Sequence, residues 1–341
     1  MTSFKDLDTN APTRKHDHIA LAFQSQMEEA LQDRRFVYEP LLAAHPTAQT
    51  LQPFSFLGAV FKLPLWVSSM TGGTKAARHI NANLAKACGE YGFGMGLGSC
   101  RSLLFSNEYL ADFAVRKYLK DAPLFANLGI AQVEKLLFAK QTDKIEELVN
   151  KLEANGLIIH INPLQEWLQP EGDHITQSPI TTIIQLLNET TIPLIVKEVG
   201  QGMGKESLRA LLQLPLAAVD FAAYGGTNFS QLELLRSHPE KQQVFQSLAR
   251  LGHTADEMVE WVNELVVELG EDLRCEEIII SGGVKNFLDG YYLRTKLTLP
   301  SVYGQASAFL KYAQNDYEGL QSFIESQARG LAFAQEFLRV K

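Results

Sequence analysis

Eight short apolar runs, each followed by a stretch with helical periodicity, constrain the fold of this 341-residue chain more than any other feature. Each run ends in glycine, serine or a polar residue, and helix-like patterns follow, for example at 75–90 and 132–153. Near-continuous apolar strands that alternate with helices are typical of a parallel sheet covered on both faces. The runs are Leu65–Met70, Phe93–Ser99, Leu124–Gly129, Leu157–Asn162, Leu194–Val199, Ala217–Ala223, Ile278–Gly282 and Val302–Ala306.

Eight such units over about 240 residues match the size of a (β/α)8 TIM barrel, and we predict an α/β fold of this class. A doubly wound sheet is the alternative. We expect residues 1–60 to form a helical arm and a segment beneath the barrel, and residues 61–341 to form the barrel with a C-terminal amphipathic helix. No low-complexity segment or long linker separates these parts, so the sequence predicts a single domain overall.

The charge balance and the cysteine content limit the partners and the compartment. A net charge of −8 argues against a broad basic face, so nucleic acid is not an expected partner. No apolar run approaches the roughly 20 residues that a membrane span needs, and the polar N-terminus lacks the apolar core of a signal peptide. The three cysteines have no metal-binding spacing and suit a reducing compartment, so we expect the cytoplasm.

Polar groups and glycines concentrate at one end of every predicted strand. In a barrel, function lies on the loops after the carboxyl ends of the strands. Gly282 and Gly283 follow the seventh run, and Gly304 to Ser307 lie at the eighth. A glycine pair alone usually marks a tight turn. At this position, free backbone N–H groups commonly bind a phosphate, so we predict a phosphate site here.

Lys197 lies at the expected end of a buried strand. In one interpretation it reaches solvent or pairs with Glu198, which is common for an arbitrary lysine. In the other it stabilises negative charge that develops on a bound cofactor or a substrate oxygen. Its place at the catalytic end of a strand favours the second interpretation.

His160 is the one histidine of eight that falls in a predicted strand. A lone strand histidine is more often a hydrogen-bonded core residue, yet Asn162, Gln165 and Glu166 follow within one turn. Glu166 is a candidate Mg2+ ligand, because Mg2+ usually takes one or two carboxylates and completes its shell with waters and phosphates. The alternative for Glu166 is an acid favoured by the helix dipole.

A dense basic cluster, Arg14 to His18, lies in the polar N-terminal arm. A solvated charge run is the default interpretation. The alternative is an arm that closes over the barrel mouth, or reaches a neighbouring subunit, and brings cations to a diphosphate.

Taken together, these stretches resemble the type 2 isopentenyl-diphosphate delta-isomerases. The resemblance runs in order from residue 14 to about 310, and HINPLQE with KEVGQG is its most specific part. The sequence GGT and the sequence SGG are shared by many flavin barrels. The matching stretches are Arg14 to His16, MTGG at 70–73, GLGSCR at 96–101, NLGIAQ at 127–132, HINPLQE at 160–166, KEVGQG at 197–202, VDFAAYGGT at 219–227 and SGGVKN at 281–286.

The resemblance implies an FMN-dependent enzyme that converts isopentenyl diphosphate to dimethylallyl diphosphate. It implies Mg2+ at Glu166, NADPH as the reductant and a homo-oligomer, a tetramer or an octamer. Catalytic roles would fall to Gln165, His160 and Lys197. The substrate would be bound by Arg14, Lys15, Ser99, Arg101, Asn162 and Gln165. FMN would be bound by Ser69, Met70, Thr71, Ser99, Asn127, Lys197, Ala222, Thr227, Gly282, Gly283, Lys285, Ala306 and Ser307.

Three departures from the family pattern bear on cofactor binding. An arginine-containing pair after strand eight is replaced by Ser307 and Ala308, so phosphate binding there would rely on backbone N–H groups. The glycine–threonine step continues into Asn228 and Phe229 instead of serine and tryptophan. The segment 287–300 is expected to be less regular than the usual helix before strand eight.

Two rival functions remain open on the sequence. One is an FMN oxidoreductase of the 2-hydroxyacid oxidase or IMP dehydrogenase type, which would need a late His–Arg pair or a nucleophilic cysteine. GGTNFSQLE has neither, and Cys275 precedes strand seven. The other is a non-catalytic flavin-binding barrel, which would not need Arg101, Gln165 or Glu166.

Overall fold

The computed structural model describes residues 11–69 and 75–341. Its strands are β1 (Phe36–Tyr38), β2 (Phe54–Phe56), β3 (Ala59–Phe61), β4 (Leu65–Val67), β5 (Gly94–Gly96), β6 (Leu124–Gly129), β7 (Gly156–Ile161), β8 (Leu194–Glu198), β9 (Ala218–Asp220), β10 (Ile278–Ser281), β11 (Ser301–Gln305) and β12 (Leu338–Val340).

The α-helices are α1 (Ala11–Leu21), α2 (Lys75–Tyr91), α3 (Leu110–Phe113), α4 (Arg116–Leu119), α5 (Ile130–Phe138), α6 (Asp143–Lys151), α7 (Pro163–Leu168), α8 (Pro179–Glu189), α9 (Lys205–Leu212), α10 (Phe229–Arg236), α11 (Pro239–Phe245), α12 (Ala255–Leu269), α13 (Phe287–Lys296), α14 (Ser307–Ala313) and α15 (Tyr317–Phe337). Short 3-10 turns lie at Glu29–Leu31, Arg101–Leu103, Leu248–Arg250 and Gly270–Asp272.

Strands β4 to β11 form a closed parallel barrel in chain order, with β11 paired to β4. Each of the eight apolar runs supplies one barrel strand, so the predicted (β/α)8 fold is confirmed. The strands are buried along nearly their whole length because helices cover the outside and apolar side chains fill the inside. This packing leaves the carboxyl ends of the strands as the face on which side chains can meet a ligand.

The other end of the barrel is covered by the hairpin β2–β3. Phe56 and Phe61 of this hairpin are fully buried and pack edge to face. The Leu57 N–H donates to Glu277, which directly precedes β10, at 2.7 Å. This end therefore contributes stability and leaves chemistry to the opposite face.

The C-terminal amphipathic helix is confirmed as α15, which packs on α13 and α14. The chain then leaves the helix, and β12 pairs antiparallel with β1. The predicted helical pattern did not show this strand, because its pairing partner lies some 300 residues earlier in the chain.

The helix-like pattern at 132–153 forms two helices, α5 and α6. Lys140 adopts φ 54°, and the Gln141 N–H donates to Leu136 while the Lys140 N–H donates to Leu137. These two bonds satisfy the last carbonyls of α5 and turn the chain, although the apolar period continues beyond them.

No helix within the described ranges is long and apolar enough to cross a membrane.

Candidate functional site

Two adjoining clefts open at the carboxyl ends of the barrel strands. The first, of about 580 Å3, lies at the ends of β8 to β11 and β4, and the second, of about 550 Å3, lies at the ends of β5 to β8. Ser69, Lys197, Val199 and Phe229 line both, so the two clefts form one site with two compartments.

The first cleft is bounded by closely approaching glycines. Gly282 and Gly283 have φ of 84° and 72°, and a Cβ on Gly282 would lie 2.0 Å from the Ala223 carbonyl oxygen. A Cβ on Gly226 would lie 3.3 Å from the Gly283 nitrogen. We call Gly226, Gly282 and Gly283 the glycine cradle. Side chains are excluded from it, so its backbone is free to approach an anion.

The first cleft also contains most of the expected cofactor residues. Ser69 contributes a buried hydroxyl with no hydrogen-bond partner among the described residues. Such an atom is costly unless a ligand satisfies it. The expected residues that line this cleft are Ser69, Lys197, Ala222, Thr227, Gly282, Gly283, Ala306 and Ser307.

Lys197 lies at the floor shared by the two clefts and is only 8% exposed. Its Nζ donates to the Glu198 carbonyl oxygen at 2.7 Å and not to the Glu198 carboxylate. That carboxylate instead accepts the N–H groups of Gly200, Gln201 and Gly202 at 2.5, 2.6 and 3.1 Å. The side-chain pairing of Lys197 with Glu198 is therefore wrong, and the ammonium is oriented by a backbone carbonyl.

His160 lies beside Lys197 in the second cleft, as its register partner on β7. Its Nδ1 lies 2.7 Å from Asn127 Oδ1. Burial first, and then the charges of Lys197 and Arg101, lower the pKa of His160 to about 4. The ring is therefore neutral near pH 7 and contributes hydrogen bonds and not a positive charge.

Asn162, Gln165 and Glu166 form a hydrogen-bonded group at the start of α7. The Asn162 Nδ2 donates to Gln165 at 3.1 Å and to Glu166 at 2.9 Å. The second Glu166 oxygen accepts the Asp173 N–H at 2.7 Å. Gln165 lines the second cleft, whereas Glu166 lines a neighbouring groove with Asp173.

Asp173 connects this group with the loop after β5. Its carboxylate lies 3.7 Å from Arg101 and accepts hydrogen bonds from Gln132 and Lys135. Arg101 lines neither cleft and lies beside a carboxylate that the sequence did not single out. Ser99 lines the second cleft, with its side chain exposed.

Several expected site residues are not brought to the clefts. Arg14 and Lys15 lie on exposed α1 and line neither cleft in the described structure. Lys285 is exposed, and its N–H donates to Asp289. Met70 and Thr71 lie outside the described residues.

The departures at 228–229 and 287–300 have structural explanations. Asn228 caps α10 by accepting the Gln231 N–H, and it also donates to the Ala249 carbonyl. Phe229 then lines both clefts. The segment 287–300 begins with the regular helix α13, capped by Asn286, so the expected irregularity is wrong.

The described residues contain no group of three or more His, Cys, Asp or Glu side chains arranged to hold a metal ion. A single carboxylate remains sufficient for Mg2+ when phosphate oxygens and waters complete the shell.

Comparison with known proteins decides the family. No family model matches the chain. The chain is 34% identical over 322 residues to the isopentenyl-diphosphate delta-isomerase of Rickettsia peacockii (strain Rustic), covering 92% of this chain and 90% of that protein. The protein of the same name from Rickettsia bellii (strain RML369-C) is 34% identical over 306 residues, covering 88% and 85%. The chain belongs to the isopentenyl-diphosphate delta-isomerase family.

This family assignment confirms the resemblance found in the motifs. Solved structures with the same fold include a flavocytochrome b2 variant with bound sulfite, at 15% identity and a TM-score of 0.60 over 94% of this chain and 81% of that chain. A mandelate oxidase variant with an FMN monooxide adduct has 14% identity and a TM-score of 0.55, covering 90% and 87%. At these identities the likeness concerns the fold.

A buried charge beside Lys197 in this isomerase-family barrel was not predicted from the sequence. Asp220, in the middle of the sixth apolar run, has no exposed surface and is the register partner of Lys197 on β9. Its Oδ1 accepts a hydrogen bond from Ser281. The sequence feature that indicates this charge is an aspartate inside an otherwise apolar run, because burial of an unpaired carboxylate costs free energy.

Proposed function

We propose that the protein isomerises isopentenyl diphosphate to dimethylallyl diphosphate as a type 2 enzyme, with FMN in the first cleft and the substrate in the second. The proposal depends on one observation: Lys197 lines both clefts, and His160 lies beside it in the second. A group bound in one cleft is thereby adjacent to a molecule bound in the other.

The first cleft fits FMN on three observations. The glycine cradle excludes side chains where a phosphate would lie, and the partnerless Ser69 hydroxyl offers a hydrogen bond. Lys197 supplies a cation at the cleft floor, where negative charge on the ring would be stabilised. We assign Ala222, Thr227, Ala306 and Ser307 to its walls, and Asn127 and Ser99 to its second-cleft side.

The reaction moves a double bond from C3–C4 to C2–C3, so a proton is added at C4 and another is lost from C2. When bound, reduced FMN supplies the acid–base group for this exchange. Neutral His160, held by Asn127, and Gln165, held by Asn162, orient the substrate by hydrogen bonds without adding charge. Arg101 and Glu166, the latter through Mg2+, bind the diphosphate and provide binding energy remote from the reacting carbons.

Other parts of the proposal concern supply and assembly. We assign NADPH as the reductant, the cytoplasm as the compartment and a homo-oligomer, a tetramer or an octamer, as the working form. Three buried free cysteines suit a reducing compartment. Exposed apolar side chains on the arm, including Phe23, Met27, Leu41 and Leu42, suit burial against another subunit.

The deciding experiment counts reductant against product under anaerobic conditions. Purified protein is loaded with FMN and reduced with a trace of NADPH or dithionite, and dimethylallyl diphosphate is measured together with NADPH consumption. We expect many products per reductant and no activity from the oxidised protein. One NADPH consumed per product would indicate an oxidoreductase instead and contradict the proposal.

The role of Lys197 is tested by Lys197→Ala with Lys151→Ala as the matched control. The Lys151 ammonium also donates to a backbone carbonyl, that of Leu103, but lies outside the clefts. We expect kcat to fall at least about a hundredfold for Lys197→Ala and to stay near wild type for the control. Loss of stability with intact activity per folded molecule would contradict the assignment.

A further inference from the structure

His160, Lys197 and Asp220 form one row across three neighbouring barrel strands. The first two are register partners on β7 and β8, and the last two on β8 and β9. Register partners on parallel strands lie about 4.8 Å apart and point to the same face of the sheet. The row therefore places Lys197, at the floor of the clefts, between a neutral imidazole and a buried carboxylate that lines neither cleft.

Asp220 is poorly compensated by its immediate neighbours. Its Oδ1 accepts one hydrogen bond, from the Ser281 hydroxyl, and its Oδ2 is buried with no hydrogen-bond partner among the described residues. Burial raises the pKa of Asp220, and the charge of Lys197 and the hydrogen-bonding groups of Ser281 and Ala222 oppose this change. The ionised form of a carboxyl in this environment requires a counter-charge.

The other nearby carboxylate is already satisfied. The Glu198 carboxylate accepts hydrogen bonds from three backbone N–H groups of the loop at 200–202, which stabilise most of its negative charge. Lys197 donates one hydrogen bond, to the Glu198 carbonyl oxygen. Lys197 and Asp220 are therefore two buried groups of opposite charge on neighbouring strands. In each case the local hydrogen bonds leave most of the charge uncompensated.

We propose that Asp220 is a positioning residue for Lys197: its carboxylate is the counter-charge that holds the ammonium at the cleft floor and sets how strongly it acts on an anionic ring bound above. This inference rests on the proposed function, because the ring is that of FMN. Asp220 acts electrostatically, because in a site of low dielectric its negative charge offsets part of the field of Lys197.

Removing the Asp220 charge while keeping its shape should expose the full charge of Lys197. In Asp220→Asn, reduced FMN, which carries the extra negative charge, should gain affinity relative to oxidised FMN. We expect the affinity for reduced FMN, divided by the affinity for oxidised FMN, to rise about tenfold. This corresponds to a rise of about 30 mV in the reduction potential of the two-electron couple. The potential is measured by equilibration with a reference dye and does not depend on turnover.

The matched control is Asp112→Asn. Asp112 is also a buried aspartate paired with a cation, Arg78 at 2.9 Å, but it lies on α3, away from the clefts. Its variant should lose stability and leave the flavin potential unchanged. In a Lys197→Met background, Asp220 lacks the charge that opposes the rise of its pKa by burial, so the carboxyl is neutral and Asp220→Asn removes no charge. The change in the ratio of the two FMN affinities caused by Asp220→Asn should then be less than about threefold. An unchanged potential in Asp220→Asn, or an undiminished shift without Lys197, overturns the inference.

A second measurement uses flavin-free protein. If the two groups are counter-charges, each single variant, Lys197→Met or Asp220→Asn, leaves a buried charge unpaired, and the double variant removes both. Each single variant raises the equilibrium constant of unfolding by some factor. In the double variant this constant should be at least about tenfold smaller than the product of those two factors predicts. If Asp220→Asn alone does not fold, recovery of folded protein by Lys197→Met supports the inference, and no recovery overturns it.

The two proposals fail in different ways. Wild-type protein that binds no FMN contradicts the proposed function, while the unfolding cycle still decides whether Lys197 and Asp220 are coupled. Wild-type protein that binds FMN and isomerises the substrate, with no coupling between the two residues, contradicts this inference alone.

Discussion

His160 and Lys197 are register partners on β7 and β8, so a neutral imidazole lies beside an ammonium. Burial, Lys197 and Arg101 together bring the pKa of His160 to about 4, well below its ordinary value. Any hydrogen bond that His160 makes to a diphosphate near pH 7 is therefore made by a neutral ring.

The first prediction concerns the pH dependence of stability. The folded pKa of His160 is depressed, so its contribution is fully present above the unfolded pKa of about 6.5 and is lost as pH falls from there toward 4. Because the ring is half-buried, we expect wild type to lose about 2 kcal/mol more than His160→Gln over this window. Urea unfolding at several pH values measures this. His18→Gln, on exposed α1, should follow wild type, and parallel curves for His160→Gln would contradict the assignment.

The second prediction concerns the glycine cradle. In Gly282→Ala the new Cβ meets the Ala223 backbone at a positive φ of 84°, so the chain must move. We expect a loss of about 2 kcal/mol or more in the free energy of unfolding, together with loss of retained FMN. Gly270→Ala is the control, because it also has a positive φ, 51°, but nothing lies within 4 Å of its Cβ. Equal flavin retention in both variants would argue against the cradle as the phosphate site.

The third prediction concerns Mg2+. Glu166→Gln keeps the size of the side chain but removes the charge that a hard cation prefers, and its amide can accept only one of the two hydrogen bonds that the carboxylate accepts from Asn162 and Asp173. The Mg2+ concentration for half-maximal activity should rise at least about tenfold, with FMN still bound at wild-type stoichiometry. Glu171→Gln removes a nearby exposed carboxylate that pairs with Arg236, and it should behave as wild type. Flavin loss in Glu166→Gln would place this residue with the cofactor instead.

The fourth prediction concerns the arm. If α1 closes over a bound diphosphate, Arg14→Ala with Lys15→Ala should raise KM about tenfold or more and make the residual activity less sensitive to salt. Lys86→Ala with Lys117→Ala removes two exposed positive charges from α2 and α4, remote from the clefts. This control should leave KM unchanged. An unchanged KM in the Arg14 and Lys15 variant would mean that the arm is a solvated segment.

The barrel could be predicted from the sequence because each strand is a local apolar run, and local patterns do not depend on distant partners. The same reasoning located the loops that hold His160, Lys197 and Gly282. It could not find the pairing of Arg101 with Asp173, because 72 positions separate them and only the folded loops bring them together. The turn at Lys140 was missed for another reason, since the apolar period continues through it.

Asp220 is predictable from the sequence, since it is the one charged residue in the run at 217–223. The run at 217–223 was interpreted by its apolar residues, and the one charge inside it was passed over. A buried charge in a strand is costly, so it calls for an opposite charge on a neighbouring strand. Lys197 was already recognised as such a charge, and the two predicted strands follow one another in the chain.

The pairing of β1 with β12 determines when this protein can finish folding. On the ribosome, Phe36 to Tyr38 leave the exit tunnel long before their partners, Leu338 to Val340, have been synthesised. The barrel strands can associate in the order in which they emerge, since each pairs with its predecessor. Only when Leu338 to Val340 have left the tunnel can the two strands pair, so Phe36 to Tyr38 stay without their partner while the residues between them are synthesised.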